Sequence, residues 1–281
     1  MSEGGQVAFE PMPGFHKLES LWRIEYKAIA LEPVITQAAT EEAKTEISDL
    51  IGKTYAKEEI DLVPLVMGDK AIITGNAVKG LFRHLISAQL TAAGVPVCVQ
   101  DVKLGEGSQV PPERRKQCEP ENPCFVCTWF GTASRQGALH FSILESTKPL
   151  RGVLVSEPIP MIALSDRHKA AAKRAFALIA PVRAGTEFRG WIKGENLSEE
   201  IIGAIAEVAE MSKMGFVQFG ALKTRGMGAM RIEIARIEKY RTVPKFELEK
   251  AYEGDELAGF LGRCRERYHA LLTRGGRGAE R

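Results

Sequence analysis

The sequence predicts an α+β fold, and three features carry that prediction. Segments in which apolar and polar residues alternate with period two lie near both ends of the chain, at 21–30 and 230–237. Two segments with helical spacing, at 76–93 and 198–213, lie between them. Further strand signals fall between the two helices, so strand, helix, strands, helix and strand follow one another.

The first strand is LWRIEYKAIA (21–30), alternating throughout. Residues 33–61 lose the pattern and are expected to form a polar, mobile loop. LVPLVMGDKAIITG (62–75) then gives an apolar run, a Gly-Asp turn and a second apolar run. In NAVKGLFRHLISAQLTAA (76–93), Val78, Leu81, Phe82, Leu85 and Ile86 form one apolar stripe, Lys79 and Arg83 lie four apart elsewhere, and Gly94 ends the helix. Residues 95–128 are polar, bear prolines and cysteines, and read as an insertion rather than core. Strands are expected at 138–145 and 152–158, a basic helical segment at 166–180, and a strand at 187–193. A helix capped by Ser198 follows, then the strand MRIEIARI (230–237). The chain from Leu248 reads as a helix whose end, TRGGRGAER, is disordered. This order fits an open sandwich of the ferredoxin-like or RNA-recognition type. The main domain spans 1–245, the irregular stretches 33–61, 95–128 and 160–185 hang from it as lobes, and 246–281 is a tail.

Composition bounds the function. The chain has 281 residues, 44% of them apolar, and a net charge of only +2. No apolar run reaches the length of a membrane span, and the N-terminal stretch has no basic region followed by an apolar one, so a cytoplasmic location is expected. Charge is uneven. Residues 41–61 hold seven acids against three lysines, whereas 165–191 hold six cations against two acids, as do 222–241. Basic segments on a near-neutral body suit either solvated faces or a localised anionic partner.

Three segments carry chemistry. In ITGNAVKGLFRHLI, Gly75 and Asn76 open a helix with Lys79 in its first turn, where free N–H groups, the helix dipole and a cation suit a phosphate as readily as an ordinary cap. In GALKTRGMGAMRI, Gly220, Gly226 and Gly228 remove side chains where another backbone or a ligand comes close, and Lys223 and Arg225 can reach phosphates. The spacing is neither a phosphate-binding P-loop nor a dinucleotide fingerprint, since a strand follows, and a tight hairpin is the plain alternative. CEPENPCFVCTWFG places Cys118, Cys124 and Cys127 in C-x5-C-x2-C spacing, which suits zinc with a fourth ligand from Cys98 or His84. Cys264 stands apart as a bystander, His168 adds charge beside Arg167 and Lys169, and no nucleophile constellation emerges.

These segments resemble, in order, those of the RAMP superfamily, the RNA-binding subunits of CRISPR effector complexes. ITGNAVKGLFRHLI is similar to the family's I-P-G-S-S-L-K-G-x-x-R helix start, FALIAPVRAGTEFRGWI to a strand bearing P-x-G-T-x-F, and FGALKTRGMGAMRI to the loop G-G-x-K-S-R-G-x-G-x-V. The cysteine cluster running into Trp129-Phe130-Gly131 resembles the C-P-x-C-x-x-F-G zinc segment of type III backbone subunits. The resemblance implies a backbone subunit, of the Cas-seven group, in a type III or type IV complex. A palm with finger, thumb and zinc-bearing lobes would carry guide crRNA while copies polymerise head to tail beside other effector subunits and present the guide to a target nucleic acid. It would place Asn76, Lys79, Arg83, Arg167, Lys169, Lys173, Gly220, Lys223, Arg225, Gly226 and Gly228 on the RNA. Cleaving members use an aspartate in the first mobile loop. Val63 occupies that position here, with Asp61 and Asp49 as the neighbouring carboxylates for target-RNA cleavage. Asn76-Ala77 also replaces the family's two serines.

Overall fold

The computed structural model describes residues 17–38, 41–51, 60–98, 118, 122–132, 135–164 and 171–276. Its elements are, in order, β1 (Ser20–Ala30), β2 (Gln37–Ala38), α1 (Glu41–Ile51), β3 (Val63–Pro64), β4 (Val66–Met67), β5 (Lys70–Ile73), α2 (Gly75–Ala92), α3 (Phe125–Phe130), β6 (Leu139–Phe141), β7 (Leu144–Ser146), β8 (Ile159–Leu164), β9 (Ala171–Ile179), β10 (Glu187–Glu195), α4 (Glu199–Lys213), β11 (Met230–Arg241), β12 (Glu247–Tyr252) and α5 (Gly254–Gly276).

The fold is α+β, built on an antiparallel sheet in the order β12-β11-β1-β10-β7-β5-β4, with β6 also pairing β10. The long central strand β1 alternates as its sequence does. Trp22, Ile24, Tyr26, Ala28 and Ala30 point into the core, where they join the buried stripe of α2 (Val78, Phe82, Ile86, Leu90) and Ile201, Ile205 and Val208 of α4. The opposite face is half-exposed and charged, and several of its charges pair: Arg23 with Glu25, Lys27 and Arg231 with Glu233, Arg236 with Glu238 and Glu253, and Arg189 with Glu187, while Lys193 lies over the Trp191 ring.

The expectations for β1, the 62–75 hairpin, α2, β10, α4 and the start of β11 agree with these elements. Others are corrected. The strand expected at 138–145 divides into β6 and β7 at Ser142 and Ile143, where Ser142 N–H still donates to the Trp191 carbonyl (3.0 Å) but the Ser142 hydroxyl accepts the Trp191 N–H (2.8 Å). The strand expected at 152–158 is a 3₁₀ turn (Leu150–Gly152) followed by irregular chain, with Leu150, Val153 and Leu154 buried and one bridge, Leu154 to Val182. The basic segment expected to be helical is β9, which pairs with β8 from Ile159↔Ile179 to Leu164↔Ala171, its predicted start lying outside the described residues. Part of the Cys-rich segment is core: Val95, Phe125 and Val126 belong to the principal buried cluster. Within 33–61 the chain forms β2 and α1, and residues 52–59 lie outside the described set.

The chain after 246 adds β12 to the sheet edge before it becomes helical, and α5 runs through Gly276, into the stretch expected to fray. Leu257, Phe260, Cys264, Tyr268 and Leu271 form the buried stripe of α5. A side chain at Gly203 would overlap the Cys264 carbonyl, so only glycine lets α4 and α5 pack this closely. The Tyr268 hydroxyl donates to Gln89 Oε1 (3.0 Å), tying α5 to α2.

Candidate RNA-binding surface and cysteine cluster

The glycine-bearing loop joins α4 to β11. A side chain at Gly220 (φ +81°) would overlap the Ile35 carbonyl, and one at Gly228 (φ +93°) would overlap that of Phe219. Ala221 N–H donates to the Ile35 carbonyl and Gly228 N–H to that of Pro33, both at 2.9 Å, and Glu32 Oε2 accepts from Ala229 N–H (3.1 Å). The bare positions at 220 and 228 are therefore filled by the protein's own backbone. Leu222 and Gly226, both left-handed, bracket a 3₁₀ turn (Lys223–Arg225). Gly226 has open space beside it. Lys223 and Arg225 are exposed, and Gln218 Nε2 braces the turn by donating to the Lys223 carbonyl (3.1 Å). Two cations thus stand on a pinned, solvent-facing turn.

At the start of α2 the cap is Thr74, whose hydroxyl accepts from Ala77 N–H (3.3 Å). Gly75 is the first helical residue, with the Phe141 carbonyl pressed against it. Asn76 is exposed in the first turn, and Lys79 is half-buried, its pKa lowered by burial and then by the neighbouring Arg83. Arg83 is committed elsewhere, donating to the Gly131 carbonyl (3.0 Å) at the end of α3. Lys173 lies on β9, and Arg167 and Lys169 lie outside the described residues.

The two candidate carboxylates sit on different elements. Asp49 is exposed on α1. Asp61, just before β3, accepts the Leu178 N–H through Oδ2 (2.7 Å), a partner across 117 positions that no sequence pattern signals.

The cysteine cluster is compact. Cys98, Cys118, Cys124 and Cys127 bring their four sulfurs within 4.8 Å of one another. His84 is exposed on α2 and is not part of this group. Cys124 caps α3 and Cys127 sits one turn into it, so a short helix presents the C-x2-C pair, while Cys98 (3.0 Å from Cys127) comes from the chain after α2. Tetrahedral zinc with bonds of about 2.3 Å spaces its sulfurs about 3.8 Å apart, so the four thiols can hold a metal ion. Their crowding already favours ionisation of one of them. Hydrogen bonding with Cys127 holds the Cys124 thiol down to about 4, and the same contact pushes Cys127 up. Burial pushes Cys118 up to about 11.

The model of the RAMP superfamily matches residues 45–231, from within α1 to the second residue of β11, and the chain belongs to that superfamily. Its members are CRISPR-associated RNA-binding proteins, which implies crRNA and other CRISPR subunits as partners. No curated protein matches the chain. Among the described residues no helix is long and apolar enough to cross a membrane.

Proposed function

We propose that this protein is a backbone subunit of a type III or type IV CRISPR effector complex. It binds guide crRNA, polymerises head to tail along it and presents it for target pairing. The observation that carries this reading is the 3₁₀ turn on which Lys223 and Arg225 face solvent, braced by Gln218 and docked through Gly220 and Gly228 onto residues 33–35. One subunit must accept any guide sequence, so its contacts go to phosphates, and a rigid cationic turn suits that task. Asn76 and Lys79 at the start of α2 supply a second phosphate contact. The succession β1, α2, β6–β7, β10, α4, β11, in the spatial order β11-β1-β10-β7, supports a ferredoxin-like palm. The β8–β9 ribbon stands in the place of a thumb, and the cysteine cluster holds a structural zinc. Target cleavage is the second reading of the same scaffold, with Asp61 or Asp49, both exposed, as its carboxylate.

The test is native purification with a co-expressed repeat array. An oligomer carrying discrete guide-length RNA is expected. RNA-free monomer that gains no RNA at low salt would remove the reading. In the loaded complex, Lys223→Ala with Arg225→Ala should lower the slope of log affinity against log salt by about 1 to 2, since each lost phosphate contact removes roughly 0.7 to 0.9 of slope.

A further inference from the structure

Among the described residues, the hydrogen bonds of Asp61 go to Leu178 of β9. Asp61 N–H donates to the Leu178 carbonyl (2.8 Å), and its carboxylate takes the Leu178 N–H (2.7 Å). The chain continues this contact, since Leu62 bridges Ile179 in parallel and its carbonyl accepts from Ala180 N–H (3.0 Å). Both backbone groups of Leu178 point away from β8, where the facing residue is Pro160, which has no N–H to offer. β8 and β9 form a separate two-stranded sheet, so this edge is where the ribbon joins the body.

The junction continues into the glycine-bearing loop. Ile35, Ile179 and Met227 are buried together in a small second core, with Leu62, Ile159, Met161, Ala221 and Leu222 packed around it. The ribbon supplies Ile159, Met161 and Ile179, the loop supplies Ala221, Leu222 and Met227, and the segment beginning at Asp61 supplies Leu62. The ribbon and the cationic loop of the reading proposed above thus share one small core, and Asp61 precedes the Leu62 that packs against it.

We propose that Asp61 is a positioning residue, the anchor that sets the β8–β9 ribbon against the glycine-bearing loop, and that it takes no part in cutting RNA. The link from the anchor to guide binding rests on the proposed function, and the anchor itself does not. A carboxylate or an amide oxygen can each accept the Leu178 N–H, so Asp61→Asn keeps the anchor and removes the charge, whereas Asp61→Ala removes both.

Full-length wild type, Asp61→Asn and Asp61→Ala would be compared by hydrogen–deuterium exchange, with guide affinity and target cleavage measured on the loaded complexes. In Asp61→Ala, peptides covering 174–180 should exchange about ten- to hundredfold faster and those covering 221–228 should follow, while α4 stays unchanged. Guide affinity should fall with them, and Asp61→Asn should restore both. Unchanged exchange in Asp61→Ala overturns the anchor. If the wild-type complex cleaves target, an Asp61→Asn protein with wild-type exchange that has lost that cleavage overturns it too, by assigning the carboxylate to the reacting phosphate. Faster exchange with undiminished guide affinity overturns the link to RNA. If wild type binds no guide at all, the proposed function fails, and the exchange result still decides the anchor.

Discussion

Gly220 is the residue on which the cationic turn depends. Its backbone is left-handed and lies against the Ile35 carbonyl, so Gly220→Ala combines an unfavourable φ with an overlap that only a shift of the loop relieves. The conformation alone costs about 1–3 kcal/mol, and denaturant unfolding should show at least that loss. A variant of wild-type stability would mean the loop does not dock on residue 35. The glycines were legible in the sequence, but their neighbours were not, because Ile35 and Phe219 approach as backbone and leave no pattern. The partner of Arg83 was hidden for a related reason, since its spacing from Lys79 marks a helix face but not the Gly131 carbonyl waiting there. The cysteines were more transparent. C-x2-C spacing is chelate geometry in itself, and Cys98, preferred over His84 as the fourth ligand, is grouped by the fold with the other three. Elemental analysis should find about one zinc per chain, as expected of a four-thiolate site, and Cys124→Ser with Cys127→Ser should abolish it. Metal-free protein of unchanged stability would remove the zinc assignment.

Helix α2 was readable because its apolar stripe is long enough to fix both period and face. β9 was not. AAKRAFALI is rich in alanine and cations, residues that favour helices, and only the pairing with Ile159–Leu164 makes it a strand. α5 was legible as a helix but not as part of the core. It is clamped to α4 where Glu207 accepts from Arg265 Nε and pairs with His269 Nε2, both at 2.9 Å, with Glu210 3.8 Å from Arg265. Burial acts to raise the Glu207 pKa, yet the hydrogen bonds and charges of Arg265 and His269 hold it below the ordinary carboxyl value. A depressed folded pKa stabilises the protein above the unfolded value, near 4.5, and that contribution is lost as pH falls through the folded pKa. Proteolysis or exchange of α5 should therefore rise below about pH 4.5, and Glu207→Gln should flatten that rise. Equal acid sensitivity in both proteins would place the titrating contact elsewhere.

At the scale of the whole molecule, the order of elements was visible because it depends on hydrophobic period, and the α+β class followed from it. The joining of lobes to body was not, because it depends on single contacts between distant residues: Asp61 with Leu178, Gly203 with Cys264, Gly220 with Ile35. The sheet's charged face has a consequence for how RNA arrives. Five cations there (Arg23, Lys27, Arg189, Arg231, Arg236) are matched by five carboxylates (Glu25, Glu187, Glu233, Glu238, Glu253). Strands lie about 4.8 Å apart, so opposite signs alternate over less than the ~8 Å screening distance of physiological salt, and their fields cancel before a polyanion feels them. Across these pairs the face is electrically quiet, as the turns are not. On the proposed reading, a drifting strand of RNA is thus oriented at a distance, drawn to the rim of the sheet rather than to its flat.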